Sequence, residues 1–121
     1  MPLSKLRILI VDDYPPLREL KAIRLGRAGA VILEAGTGEE GLRILATEEV
    51  DLALIDLNLP DMSGQELRSR MRADLATRAV PVILTSVSER PQDIDASELC
   101  FQEPLDMKKL VEAIQKAITH A

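Results

Sequence analysis

The chain is poor in aromatic side chains: it has no tryptophan, one tyrosine (Tyr14) and one phenylalanine (Phe101) among 121 residues. A core built from it must therefore be aliphatic, made of Leu, Ile, Val and Ala. Cysteine is just as scarce. Cys100 stands alone, which excludes an intramolecular disulfide and fits a reducing compartment. Positive charge is in deficit, with 15 Lys and Arg against 20 Asp and Glu for a net charge of −5, which argues against holding nucleic acid on a basic face. Long hydrophobic runs are missing too. The first apolar run, Ile8 to Val11, is stopped at once by Asp12 and Asp13, too short for a secretory segment or a membrane span. What the chain does have is 46% hydrophobic residues, in a length that suits one domain over residues 1–121 and leaves little room for a second. The expectation is a soluble, cytoplasmic, single-domain protein without linker, repeat or low-complexity tract.

Four short apolar runs stand out: Ile8–Val11, Val31–Leu33, Leu52–Ile55 and Val82–Leu84. They lack period-two alternation, as strands buried on both faces of a parallel sheet do. A weaker fifth strand is expected over Leu99–Gln102. Helical spacing lies between the runs. Leu42, Leu45 and Ala46 share one face; Leu67, Met71 and Leu75 recur at i, i+4, i+8; Leu110, Ile114, Ala117 and Ile118 form the last stripe. From Pro15 to Ala28, Leu17, Leu20 and either Ile23 or Leu25 are expected to face inward, and Pro15 and Pro16 suit a first helical turn. Thr37-Gly38-Glu39-Glu40 and Ser63-Gly64-Gln65-Glu66 both read as capping boxes at helix starts. Five strand–helix alternations make a doubly wound α/β fold. The least regular stretch is Ser86 to Ser97, polar and broken by Pro91.

The strands end in polar residues: the first in Asp12-Asp13, the third in Asp56, the fourth in Thr85-Ser86, the fifth in Glu103-Pro104. Any one of these is ordinary, since an acidic pair is most often a solvated turn and a lone Asp a helix cap. Their joint placement is not. In open α/β sheets, ligands bind beyond the carboxyl ends of the strands where strand order reverses, so these groups should converge on one crevice. Clustered carboxylates call for a hard cation, and oxygen-only ligands beside phosphate favour a partly hydrated Mg²⁺. A carboxylate beside such an ion can act as a nucleophile toward a phosphoryl group, with the Thr85 hydroxyl near the same rim.

These residues carry a resemblance. Leu9-Ile10-Val11-Asp12-Asp13 resembles the first strand of response-regulator receiver domains. Asp56-Leu57-Asn58-Leu59-Pro60-Asp61-Met62-Ser63-Gly64 resembles their phosphoacceptor loop over nine residues, and Val80–Ser86 resembles their fourth strand with its switch hydroxyl. The likeness spans essentially the whole chain. It implies a five-stranded parallel sheet in the flavodoxin-like order 2-1-3-4-5 with helices on both faces. It further implies that Asp56 accepts the phosphoryl group, that Asp13, Asp56 and the backbone carbonyl of Asn58 ligate Mg²⁺, and that Asp12 acts through a metal-bound water. Thr85 would bond the phosphoryl group and move on activation, while Pro60 and Gly64 shape the loop.

The departures from the family fall on the opposite side. The Lys normally found before the fifth-strand proline is Glu103 here, and no lysine near it in sequence is an obvious substitute; Lys108 and Lys109 lie beyond the proline, in the last helix. Replacing Lys by Glu turns an attraction for the phosphoryl group into a repulsion, ~1 kcal/mol in water and ~4 kcal/mol at an effective dielectric of 20 for charges 4 Å apart. Glu103 either faces solvent at the rim or points inward as a fourth carboxylate, in which case metal affinity rises and one carboxyl pKa is pushed up. The Glu103–Pro104 bond is a candidate for the cis form. Cys100 takes the position where the family often has Tyr or Phe, and Phe101 would point to the other face. The stretch from Thr85 to Glu103 is short for the family by roughly four residues, about one helical turn, which implies a stunted fourth helix. Arg68, Arg70 and Arg72 read as a solvated helix side, His120 as a tail residue, and Arg90 as a residue that could reach the rim in place of the lost cation.

The function expected is that of a phosphoacceptor in a two-component phosphorelay. A histidine kinase or phosphotransfer protein would be the donor, and a downstream protein or output domain the recipient. Such a domain is not an enzyme in its own right; it catalyses only its own phosphorylation and hydrolysis. In the family the fourth helix, fifth strand and fifth helix form the output surface, through which a homodimer could also form. Two alternatives stand beside this. One is a receiver-like interaction module that works without phosphorylation. The other is a small phosphohydrolase, opposed by Asn58, since such enzymes usually place a second Asp two residues after the nucleophile.

Overall fold

A computed structural model describes residues 1–87 and 100–119. The chain alternates β1 (Arg7–Val11), α1 (Pro15–Arg27), β2 (Val31–Ala35), α2 (Gly38–Thr47), β3 (Leu52–Asp56), α3 (Gly64–Ala73), β4 (Val82–Ser86), β5 (Cys100–Gln102) and α4 (Met107–Thr119). All strand pairs are parallel and run in the order β2-β1-β3-β4-β5, as the resemblance implied. Arg90, Pro91, Ile94, Leu99 and His120 lie outside the described residues, and with them the expected stunted fourth helix. Among the described residues no helix is long and apolar enough to cross a membrane.

Alternate residues of the central strands feed two cores, one on each face of the sheet. Leu9, Val11, Ala53, Ile55 and Leu84 pack with Leu45 of α2 and Leu67 and Met71 of α3. Ile8, Ile10, Leu52, Leu54 and Ile83 pack with Leu25 of α1 and Leu110 and Ile114 of α4. This two-sided burial is why β1, β3 and β4 are continuous apolar runs. β2 departs from the expectation: it is an edge strand, and Val31 and Glu34 are exposed. Cys100 packs on the first face and Phe101 on the second, as strand alternation requires.

Helix starts follow the sequence closely. Thr37 Oγ1 accepts from the Glu40 N–H and Ser63 Oγ from the Glu66 N–H, both at 3.0 Å. Pro15 and Pro16 occupy the first turn of α1, where a missing N–H costs no helical bond. Three inward faces need correction. α3 ends at Ala73, so Leu75 is exposed rather than stacked below Met71. In α2 the buried positions are Gly38, Gly41 and Leu45, and Ala46 is exposed. In α1, Leu20 and Ile23 are exposed; the inward residues recur as Leu17, Lys21 and Leu25, with Leu17 partly covered and the other two buried.

Candidate phosphoryl-acceptor site

The crevice opens where strand order reverses, at the carboxyl ends of β1 and β3, with β4 and β5 extending its wall. Ladder bonds fix each polar residue there. Asp12 N–H donates to the Ala35 carbonyl at 3.0 Å, Thr85 pairs in register with Asp56, and Leu57 N–H donates to the Thr85 carbonyl at 2.9 Å. Glu103 N–H continues the edge by donating to the Ser86 carbonyl at 2.7 Å. Each side chain is therefore aimed by sheet geometry rather than by loop flexibility.

Carboxylate oxygens of Asp12, Asp13 and Asp56 lie within 4.8 Å of one another, close enough for one cation to bind all three. Asp12 is fully buried, Asp56 half-buried and Asp13 exposed. Asp12 Oδ1 accepts from Tyr14 N–H at 3.0 Å, and Asp56 Oδ1 accepts from Asn58 N–H at 3.0 Å. The Asp56 carboxyl is raised from 3.8 to about 6. Burial is the main cause; the Asn58 N–H opposes it, Asp12 and Glu103 add to it, and Lys21 partly offsets them. The rise expected for one carboxyl is thus present, with burial contributing more than repulsion.

The loop after Asp56 folds back tightly. Gly64 N–H donates to the Leu57 carbonyl at 2.8 Å, and Asn58 and Ser63 form an antiparallel bridge. A Cβ on Gly64 would lie 2.5 Å from the Asp56 carbonyl oxygen, so backbone contact leaves room for glycine alone. Asp61 was read only as part of the loop motif, yet its carboxylate accepts from Gly38 and Glu39 N–H at 2.9 Å each, joining the acceptor loop to the start of α2. Those two donors hold its carboxyl below the usual range.

Glu103 points inward: its side chain is 7% exposed, and the Glu103–Pro104 bond is cis. A cation from α1 meets it. Lys21, 5% exposed, reaches Asp12 Oδ2 at 2.8 Å, pairs with Glu103 Oε1, and lies 3.4 Å from Thr85 Oγ1. The lysine that faces Glu103 is thus distant from it in sequence. Arg18, on the same helix, donates to the Asp12 carbonyl at 2.8 Å and pairs with Glu34 at 3.2 Å. The available signal was the i, i+4, i+8 spacing of Leu17, Lys21 and Leu25, which puts a lysine in the middle of an apolar face. Of the triplet Arg68, Arg70 and Arg72, Arg70 pairs with Glu39 and Glu66, and Arg72 donates to the Arg78 and Val80 carbonyls.

A doubly wound sheet with an acidic crevice at its switch point defines a class of α/β domains that present carboxylates to a ligand beyond the strand ends. Within that class the chain belongs to the response regulator receiver domain family, whose model matches residues 8–115. It is 34% identical over 116 residues to the phosphate regulon transcriptional regulatory protein PhoB of Pseudomonas aeruginosa, covering 92% of this chain and 51% of that protein. The chain thus spans about half the length of that relative. Its fold is similar to response regulator protein TrrA from Thermotoga maritima in complex with Mg²⁺–BeF (TM-score 0.83, 28% identity, 93% of this chain and 98% of that one). It is also similar to a CheY-like receiver domain protein from Methanospirillum hungatei (TM-score 0.85, 27% identity, 97% and 96%).

Proposed function

We propose that this receiver domain accepts a phosphoryl group on Asp56 in a two-component phosphorelay. The observation that carries this reading is the position of Asp56, at the end of the central strand β3, between the Asp12–Asp13 pair and Thr85. An Asp56 carboxylate oxygen forms a bond to phosphorus while the bond from phosphorus to the donor's nitrogen or oxygen breaks, and the donor leaves with the electron pair. The donor is a histidine kinase, a phosphotransfer protein or a small acyl phosphate. Thr85 donates its hydroxyl to a phosphoryl oxygen. The domain supplies the catalytic geometry for its own modification and for later hydrolysis, so it acts as a cytoplasmic signalling element rather than an enzyme on an outside substrate. A downstream protein or output domain reads the change.

The donor set fits Mg²⁺. Lys21 brings one positive charge to four carboxylates, which leaves negative charge in excess, and all the ligands are hard oxygens. Asp13, Asp56 and the Asn58 carbonyl would hold the ion directly and Asp12 through water. When bound, it would neutralise charge on the phosphoryl oxygens. Incubation with acetyl phosphate and Mg²⁺ should add one phosphoryl mass to the intact protein. The gain should vanish in Asp56→Ala and with EDTA; no gain in the unaltered protein overturns the reading.

One observation favours a second reading. Lys21 is already engaged by Asp12 and Glu103 without any phosphoryl group. A phosphorylation-independent interaction module would keep such a pocket for its structure alone. Partner affinity unchanged by phosphorylation would select that module over the switch.

A further inference from the structure

A buried lysine is an expensive way to fill space in an apolar helix face. Leu17 and Leu25 flank Lys21 on that face, and a third apolar residue would pack there without the loss of hydration that an ammonium suffers. What the ammonium gains is contact with the ends of three strands: Asp12 after β1, Thr85 in β4 and Glu103 after β5. These groups form the wall beside Asp56. Thr85 Oγ1, the hydroxyl nearest in register to Asp56, lies within reach of the same ammonium.

We propose that Lys21 is the cation that meets the phosphoryl group on Asp56, and that Glu103 is the counter-ion that positions it there. The basic residue has moved from the fifth strand to the first helix, and a carboxylate has taken its former place. This rests on Asp56 being the acceptor. Phosphorylation replaces a carboxylate by a group with more negative charge and three acceptor oxygens, so an ammonium with three donors can turn from Asp12 and Thr85 toward it. Glu103 then has two consequences. It holds the Lys21 stem against the crevice, and it competes with the phosphoryl group for the same ammonium. The pocket keeps a lysine-held phosphorylated state, with an internal competitor that weakens the hold.

The test compares the unaltered protein with Lys21→Met/Glu103→Gln, Lys21→Met/Glu103→Lys and Glu103→Gln. The readouts are the rate of acetyl phosphate-driven mass gain and the affinity for beryllofluoride by calorimetry, each with Mg²⁺. Thermal melting confirms that every variant folds. Lys21→Met/Glu103→Gln removes both charges of the Lys21–Glu103 pair and leaves only Asp12 without its ammonium, so its melting curve separates the role of the cation from loss of the fold. It should be phosphorylated about ten-fold more slowly and bind beryllofluoride about ten-fold more weakly, a modest share of the attraction available to one charge pair in a half-buried site. Lys21→Met/Glu103→Lys, which returns the cation to the fifth-strand position, should recover both. Glu103→Gln alone should bind beryllofluoride more tightly than the unaltered protein. A folded Lys21→Met/Glu103→Gln variant that matches the unaltered protein in rate and affinity overturns the proposal while leaving Asp56 as acceptor. An unaltered protein that gains no phosphoryl mass overturns both.

Discussion

At the residue scale, the molecule turns on Lys21. Its ammonium joins carboxylates that are far apart in sequence, and none of the three groups is well hydrated. Removing one member of a buried ion pair leaves an uncompensated charge, at a cost of about 3–5 kcal/mol, whereas replacing the pair by neutral groups of similar size is far less harmful. Lys21→Met should therefore lose about 3 kcal/mol in urea denaturation, and adding Glu103→Gln should restore part of that loss, because buried Asp12 still lacks its ammonium. An additive result for the double variant would show that the two side chains are not coupled. The same geometry alters the expectation for Glu103→Lys. From sequence, that change restores a missing cation and should strengthen the switch. With Lys21 in place it sets two ammonium groups against each other and removes the anchor of one, so no large gain in phosphorylation should follow.

At the scale of elements, the acceptor loop depends on a close backbone approach. Gly64→Ala would drive a Cβ into the backbone of Asp56 and Leu57, which cannot swing aside as a side chain can. The substitution should lower the melting temperature and slow phosphorylation together, because the loop that aims Asp56 must move. Ser63→Ala removes a cap of the same helix without that clash; it should cost about 1 kcal/mol and leave the phosphorylation rate nearly unchanged.

Elements also differ in how plainly the sequence announces them. β1, β3 and β4 were readable because burial on both faces makes a strand apolar at every position, and α2 and α3 because Thr37 and Ser63 cap them. α1 was misread. Its inward face carries Lys21, so the apolar stripe is broken at its centre, and exposed Leu20 and Ile23 offered a false one. The acidic side of the site was legible because each of Asp12, Asp13, Asp56 and Thr85 follows an apolar run. Lys21 was not, because its partners are nine, 64 and 82 positions away and only the fold brings them together. Asp61 was hidden for the same reason: its partners are the backbone of another helix, and backbone leaves no mark in a sequence.

At the scale of the whole molecule, the site costs stability in a pH-dependent way. The Asp56 carboxyl holds its proton to about pH 6 in the folded chain, against an ordinary value of 3.8. Between those values the folded state binds more protons than the unfolded one, so this group's contribution to stability is full below the lower value and is lost as pH rises through the higher. Because Asp56 is only partly buried, screening reduces the cost at neutral pH to about 1 kcal/mol. Asp56→Asn should therefore stabilise the metal-free protein by about that amount at neutral pH and by almost nothing near pH 4. Urea denaturation in EDTA at the two pH values checks it, and an equal effect at both would place the cause elsewhere.

The claim on which the rest depends is that the phosphoryl group is carried by Asp56. An acyl phosphate is reduced by borohydride to an alcohol, which marks the modified aspartate permanently as homoserine. The measurement is to phosphorylate the protein with acetyl phosphate and Mg²⁺, reduce it, digest it and sequence the peptides by mass spectrometry. The account predicts homoserine at position 56 and at no other aspartate. Homoserine at Asp12, Asp13 or Asp61 instead, or at none of them, would contradict it.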